Sequence, residues 1–202
     1  VRAFNAFNSK KLGLKEYSVE KPEKKYKVII DQSAKKVRPF TSCAVVKGLT
    51  FDDKTLNYVI DMQEKLHGSY GRNRGKIAIG IYPLEKINLP ITFCAKKPEE
   101  IIFQPLDFPK VLNGKQIISQ HPKGKEFGHL LNKAEVFPIF IDAKENILSM
   151  PPIINSESTG KVSKTTKDIF IEVSGFNKSF LNTTLAIIVT SLADLGGTIF
   201  AM

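Results

Sequence analysis

Apolar residues recur along this chain at two spacings, and the switches between them mark out its elements. Alternation, or short runs rich in β-branched residues, predicts strands at Tyr26–Asp31, Ser42–Lys47, Lys76–Tyr82, Ile91–Ala95, Val136–Asp142, Asn146–Met150 and Asp168–Ser174. Thr50 followed by Asp53 has the spacing of a helix-capping box, and Leu56, Val59, Ile60 and Leu66 then keep a helical stripe to about residue 66. Shorter helices are predicted at Gly114–Gln120 and Glu126–Asn132. A longer one at Lys178–Leu195 stops at Gly196 and Gly197, where glycine takes the left-handed conformation that ends helices, and Ile199 and Phe200 start one more strand. This many strands, with helices at irregular intervals and no regular strand–helix alternation, predicts an α+β fold of mixed or antiparallel sheets with flanking helices.

Composition narrows the class. With 202 residues, 42% of them hydrophobic, the chain can bury a core and is predicted to be one domain, or one domain with an appendage. The longest proline-free apolar stretch, Leu185–Val189, falls far short of the roughly 20 residues that span a bilayer, so no membrane role is expected. Cys43 and Cys94 lack a C-x-x-C spacing and sit in apolar strands, which predicts buried thiols in a reducing cytoplasm and no metal site. Residues 1–24 begin mid-helix without a cap and run into a charged connector, so they are expected to lead in from a preceding domain. A net charge of +10 favours a polyanionic partner, but the basic residues gather at several turns rather than on one recognition helix. Diffuse phosphate attraction is expected, not base readout of DNA.

The common catalytic signatures are missing. H-G-S-Y-G at 67–71 brings His and Ser together at a helix end rather than on a strand-to-helix elbow. G-R-N-R-G-K at 71–76 lacks the Ser or Thr, and the preceding strand, of a phosphate-cradling loop. The three histidines are scattered along the chain.

More telling is S-M-P-P-I-I-N-S-E at 149–157, where two prolines that cannot donate hydrogen bonds turn a strand end into a stiff loop, the kind of place where sites are built. This block, the strand D-I-F-I-E-V-S-G at 168–175, the helix end Q-E-K-L-H at 63–67 and R-N-R at 72–74 occur in the order found in a known family. Together they resemble the editing module of the phenylalanyl-tRNA synthetase beta subunit in its archaeal and eukaryotic form, from about Val37 to the C-terminus.

The resemblance implies a module over 25–202, with its core at about 37–176, a closing helix at 178–195, and a pocket between sheet and loops. It implies hydrolysis of mischarged tyrosyl-tRNA(Phe), with tRNA(Phe) and the synthetase alpha subunit, in a heterotetramer, as cytoplasmic partners. No cofactor is implied for this part; ATP and magnesium would serve only the full synthetase. The chemical problem is plain, since tyrosine exceeds phenylalanine by one hydroxyl and an apolar pocket rejects that addition by no more than about a hundredfold. A second site must therefore accept the hydroxyl. It can do so with buried polar groups that are satisfied only when the hydroxyl is present, each worth about 1–3 kcal/mol.

Strand parity puts Phe170, Glu172 and Ser174 on one face and Ile169, Ile171 and Val173 on the other. The resemblance assigns Glu172 and Ser174 to the tyrosyl hydroxyl, with Ser149 and Phe140 at further pocket positions and Leu106 at the pocket wall or tRNA end. On sequence alone, Glu172 and Ser174 equally suit a solvated strand face. Asn155 is placed to donate to an ester carbonyl, to hold a water, or to close an Asx turn; Glu157 is placed to orient the water or to sit in solvent. Lys161 matches a basic position suited to a tRNA phosphate, though it also suits a solvated turn. Arg72 and Arg74 are tRNA contacts or solubilising groups. The alternative function is a non-catalytic structural or tRNA-binding appendage of the synthetase.

Overall fold

The structure is a computed structural model that describes residues 15–202, together with Phe4, Phe7, Asn8 and Gly13. Of the helix expected at the very start of the chain, only Phe4 and Phe7 are described, and both are helical; the rest lies outside the described residues.

The first sheet has the order β1 (Val19–Glu20), β12 (Thr198–Ala201), β3 (Phe40–Lys47), β11 (Ile169–Gly175), β4 (Ile77–Pro83). It is antiparallel apart from the β1–β12 pair, and β4 is an edge strand. The second sheet runs β10 (Ile154–Asn155), β9 (Ile147–Met150), β8 (Phe137–Ile141), β5 (Ile91–Lys96), β2 (Val28–Ile30), with only β2–β5 parallel. A two-stranded ribbon of β6 (Ile102–Phe103) and β7 (Leu112–Asn113) completes the strands among the described residues.

Strand alternation sorts the apolar residues into three clusters, and the clusters define the layers. Ile79, Ile81, Ile169, Ile171 and Val173 pack against α1 (Asp53–Gly68) and α5 (Lys178–Asp194). Val45, Tyr82 and Phe170, from the opposite face of that sheet, meet Phe93, Phe140 and Leu148 of the second sheet. The outer face of the second sheet, with Cys94, Ile139 and Ile141, is covered by Ile117 of α2 (Gly114–Gln120) and Phe127 of α3 (Pro122–Phe127). The result is an α+β stack of helices, sheet, sheet and helices. Because both faces of the first sheet are covered, Glu172 and Ser174 are not on a solvated face: they are 1% and 0% exposed.

Local signals moved by small steps. The box that starts α1 is Asp52 with Thr55 rather than Thr50 with Asp53: Asp52 Oδ1 accepts from Thr55 N at 2.7 Å, and Thr55 Oγ1 accepts from Asp52 N at 2.9 Å. The helix predicted at 126–132 is instead α3 followed by a 3-10 turn at Gly128–Leu131, since Pro122 fixes an earlier start and His121 caps it. After α5, Gly196 takes φ +97°, as its sequence predicts. Cys94 is buried and Cys43 half-buried.

Two irregularities aim side chains at one place. Between β8 and β9 the register shifts, so that Ser149 pairs with Phe140 while Ile147 pairs with Ile141. Leu148 is the extra residue, and this bulge turns Ser149 onto the inter-sheet face of Phe140 instead of the outer face. After α1, three consecutive residues, Arg72, Asn73 and Arg74, adopt left-handed φ of 48°, 52° and 65°. That turn carries Arg74 inward, where it is only 8% exposed.

Candidate active site

A cavity of about 650 Å³ runs along the free edge of β4. Its walls are α1, the turn at 106–108, the start of α3, the proline loop at 151–155 and the segment after α4 (Glu157–Gly160). Gln63, Ile79, Leu106, Ser149, Asn155 and Glu172 are among the residues that line it. The proline loop, with a cis Pro151–Pro152 bond, is positioned by its ends: Asn155 O accepts from Leu106 N, and Ser156 N donates to Leu148 O.

Polar groups converge where Glu172 meets the cavity. The Tyr82 hydroxyl lies 2.8 Å from Ser149 Oγ, 3.2 Å from Glu172 Oε1 and 3.5 Å from Asn155 Oδ1. Glu172 Oε2 is buried with no hydrogen-bond partner among the described residues. Burial raises the Glu172 carboxyl to about 8, against the pull of the Arg38 charge and of the neighbouring Tyr82 and Ser174 hydroxyls. At neutral pH this group is therefore largely a neutral acid with one oxygen unused. Asn155 packs on Gly160, where a Cβ would come within 2.5 Å of its own Cβ.

Both histidines of the wall are held neutral by their hydrogen bonds. His67 Nε2 accepts from Ile79 N at 2.9 Å, so its proton sits on Nδ1, 3.2 Å from Glu64 Oε1. His121 Nδ1 accepts from Lys123 N at 3.1 Å, which leaves Nε2–H to donate to Leu106 O at 3.2 Å. Each ring thus spends its acceptor nitrogen on a backbone amide and has no lone pair left to take a proton from water. Burial pushes the His67 pKa below its ordinary value. Its contribution to stability is therefore full above about pH 6.5 and is lost as pH falls through that value toward the lower folded-state value. Denaturant unfolding at pH 7 and pH 5 is expected to show a smaller pH-linked loss in His67→Gln than in the wild type. Equal losses would refute the assignment.

The structure sorts the residues singled out from sequence. Glu172, Ser149, Asn155 and Leu106 come together at the cavity, and Lys161 and Arg74 also line it. Phe140 does not: its ring is buried between the sheets, stacked on Phe93 at 4.3 Å, because its strand parity points it inward. Ser174 is also held away, with Oγ accepting from Arg38 Nε at 3.0 Å and its carbonyl from Nη2 at 2.7 Å. Glu157 is not free to orient a water, since Oε2 accepts from Asp107 N at 2.8 Å and Oε1 pairs with Lys161 Nζ at 3.4 Å. Lys161 also pairs with Asp107 at 3.1 Å in an exposed bridge.

The two arginines part ways. Arg72 stays exposed on the left-handed turn. Arg74 is a structural clamp rather than a surface contact: it donates to the carbonyls of Pro152 and Ile153 at 3.3 and 2.8 Å and to Glu64 at 2.9 Å, and lies 4.4 Å over the Phe127 ring. Sequence reasoning missed Tyr82, Gly80 and Arg38, and gave His67 no role beyond its place in the family motif. Gly80 and Tyr82 do share strand parity, but only pairing with β11 shows that they sit beside Glu172.

Comparison with known proteins fits this architecture. The family model of the B3/4 domain matches residues 50–188. The phenylalanine–tRNA ligase beta subunit of Thermococcus sibiricus is 40% identical over 187 residues, 93% of this chain and 33% of that protein. That of Methanothrix thermoacetophila is 40% identical over 198 residues, 98% of this chain and 36% of that protein. The chain thus spans about a third of the length of these relatives. The crystal structure of an N-terminal fragment of the phenylalanyl-tRNA synthetase beta subunit from Pyrococcus horikoshii superposes with a TM-score of 0.89 at 40% identity, over 93% of this chain and 53% of that one. The chain belongs to the B3/4 domain family and is homologous to the B3/4 domain of phenylalanine–tRNA ligase beta subunits.

Proposed function

We propose that this domain edits misacylated tRNA by hydrolysing tyrosyl-tRNA(Phe), as part of a cytoplasmic phenylalanyl-tRNA synthetase assembled with an alpha subunit. The observation that carries the reading is the orphaned Glu172 Oε2 at the cavity, beside Ser149 and Asn155. An unpaired buried oxygen costs about 1–3 kcal/mol, and a tyrosyl hydroxyl removes that cost where a phenylalanyl ring does not. The site then prefers the larger, more polar side chain, the discrimination editing requires.

The hydrolysis itself asks for positioning rather than a protein nucleophile. Water adds to the ester carbonyl carbon, the bond to the ribose oxygen breaks, and free tyrosine and tRNA result. Asn155 presents its Oδ1 to Tyr82, and its Nδ2 has no partner among the described residues, so the amide is available to a carbonyl or a water. Lys161 and the exposed Arg72 supply positive charge for the tRNA backbone.

Single-turnover deacylation by the full synthetase tests this. Wild type is expected to cleave the tyrosyl ester of tRNA(Phe) and spare the phenylalanyl ester. Asn155→Ala is expected to slow tyrosyl cleavage by about tenfold or more, and Glu172→Ala to narrow the tyrosyl preference by a similar factor. A wild-type enzyme that leaves both esters intact would favour a non-catalytic appendage instead.

A further inference from the structure

Tyr82 is fully buried, with its ring stacked 5.8 Å from Phe170 in the inter-sheet core. It is not among the residues lining the cavity, yet its hydroxyl touches Ser149, Glu172 and Asn155, which are. The reach depends on Gly80, which pairs with Glu172 across β4 and β11 and shares Tyr82's face. A Cβ at position 80 would overlap the Tyr82 hydroxyl and crowd Glu172 Oε1 at 2.6 Å. The tyrosine thus lies along the strand over a residue with no side chain and delivers its hydroxyl to the rear of the site.

The Tyr82 hydroxyl has one proton to give and three oxygens within 3.5 Å, Ser149 Oγ being the nearest. We propose that Tyr82 is a specificity-determining positioning residue: its hydroxyl fixes the Glu172 carboxyl through Oε1, alongside Ser149 and Asn155, and so leaves Oε2 as the oxygen that reads a ligand's hydroxyl. This rests on the editing reading above and deepens it. Without the hydroxyl, the carboxyl is free to rotate and satisfy itself, and phenylalanyl and tyrosyl groups become harder to tell apart.

The test uses the full synthetase with Tyr82→Phe, which keeps the ring and its stacking, and Gly80→Ala, which displaces the same hydroxyl from the other side. The ratio of tyrosyl to phenylalanyl deacylation is expected to fall about tenfold or more in both. A role confined to packing would leave the pH dependence of that ratio alone. The groups facing Glu172 are Arg38, Tyr82, Ser174 and Cys43, and of these only the Tyr82 hydroxyl is lost in Tyr82→Phe. Because that hydroxyl favours the ionised carboxylate, the midpoint of the profile is expected to move to higher pH. If wild type discriminates while both variants keep its ratio and its midpoint, the role of Tyr82 is wrong and the editing reading stands. If wild type does not cleave the tyrosyl ester, the editing reading fails and takes this proposal with it.

Discussion

Glu172→Gln is expected to make the protein more stable at pH 8 while weakening its preference for a tyrosyl ester. The folded-state pKa of about 8 lies above the ordinary value of 4.5, because a carboxyl enclosed by the two sheets is poorly solvated as an anion. Between those values the folded protein holds a proton that the unfolded chain releases. Stability is therefore intact below about pH 4.5, declines as pH rises through the interval, and levels off above about pH 8. The full decline is on the order of 5 kcal/mol at 1.36 kcal/mol per pH unit. Glutamine has the same shape and does not titrate, so the difference between the two proteins should open steadily from pH 5 to pH 8 in urea unfolding. Parallel curves would show that Glu172 is ionised without penalty, and the electrostatic account would be wrong. A costly buried acid is what a site selected for recognition rather than for stability contains.

Arg74→Ala is expected to destabilise the domain by about 3 kcal/mol and to slow tyrosyl deacylation even under conditions where the variant is folded. The guanidinium supplies donors to two carbonyls of the proline loop, and leaving such acceptors buried and unpaired costs roughly 1–3 kcal/mol each. It also pairs with Glu64, whose carboxyl is held near 2 by the hydrogen bond to His67 and by the Arg74 charge, and it covers the Phe127 ring. The loop it anchors carries Asn155, so a loosened loop misplaces the amide. Denaturant titration reads the first effect and single-turnover deacylation of folded protein the second. Arg74→Lys, which keeps the charge but loses the planar fork, should recover only part of either. An alanine variant with wild-type stability would overturn the clamp. If Arg74 were instead a tRNA contact, the loss would be in tRNA affinity, with stability unchanged.

The sequence by itself determined most of the secondary structure, because periodicity, caps and breakers act over a few residues. The strand at 168–174, the closing helix ending at Gly196 and the stiff loop after Ser149 all follow from neighbours along the chain. So does the division of Ile169, Ile171 and Val173 from Phe170, Glu172 and Ser174, since strand alternation is fixed by the pleat. The candidate site was legible where a resemblance placed Glu172, Ser149 and Leu106 and where the stiff proline loop singled out Asn155; parity gave strand faces without saying what those faces meet.

Tertiary structure decided the rest. A second sheet covers the polar face of β11, which converts Glu172 from a plausible solvated carboxylate into a buried acid. Within that one face, Arg38 claims Ser174 while Glu172 reaches the cavity, a separation that depends on where a residue 136 positions earlier folds back. A one-residue bulge at Leu148 turns Ser149 toward Tyr82, and a left-handed turn sends Arg74 inward while Arg72 stays in solvent. The physical reason is common to these cases. Local sequence sets the conformation of each segment, but desolvation and hydrogen-bond partners are properties of what packs against it, and those neighbours come from distant parts of the chain.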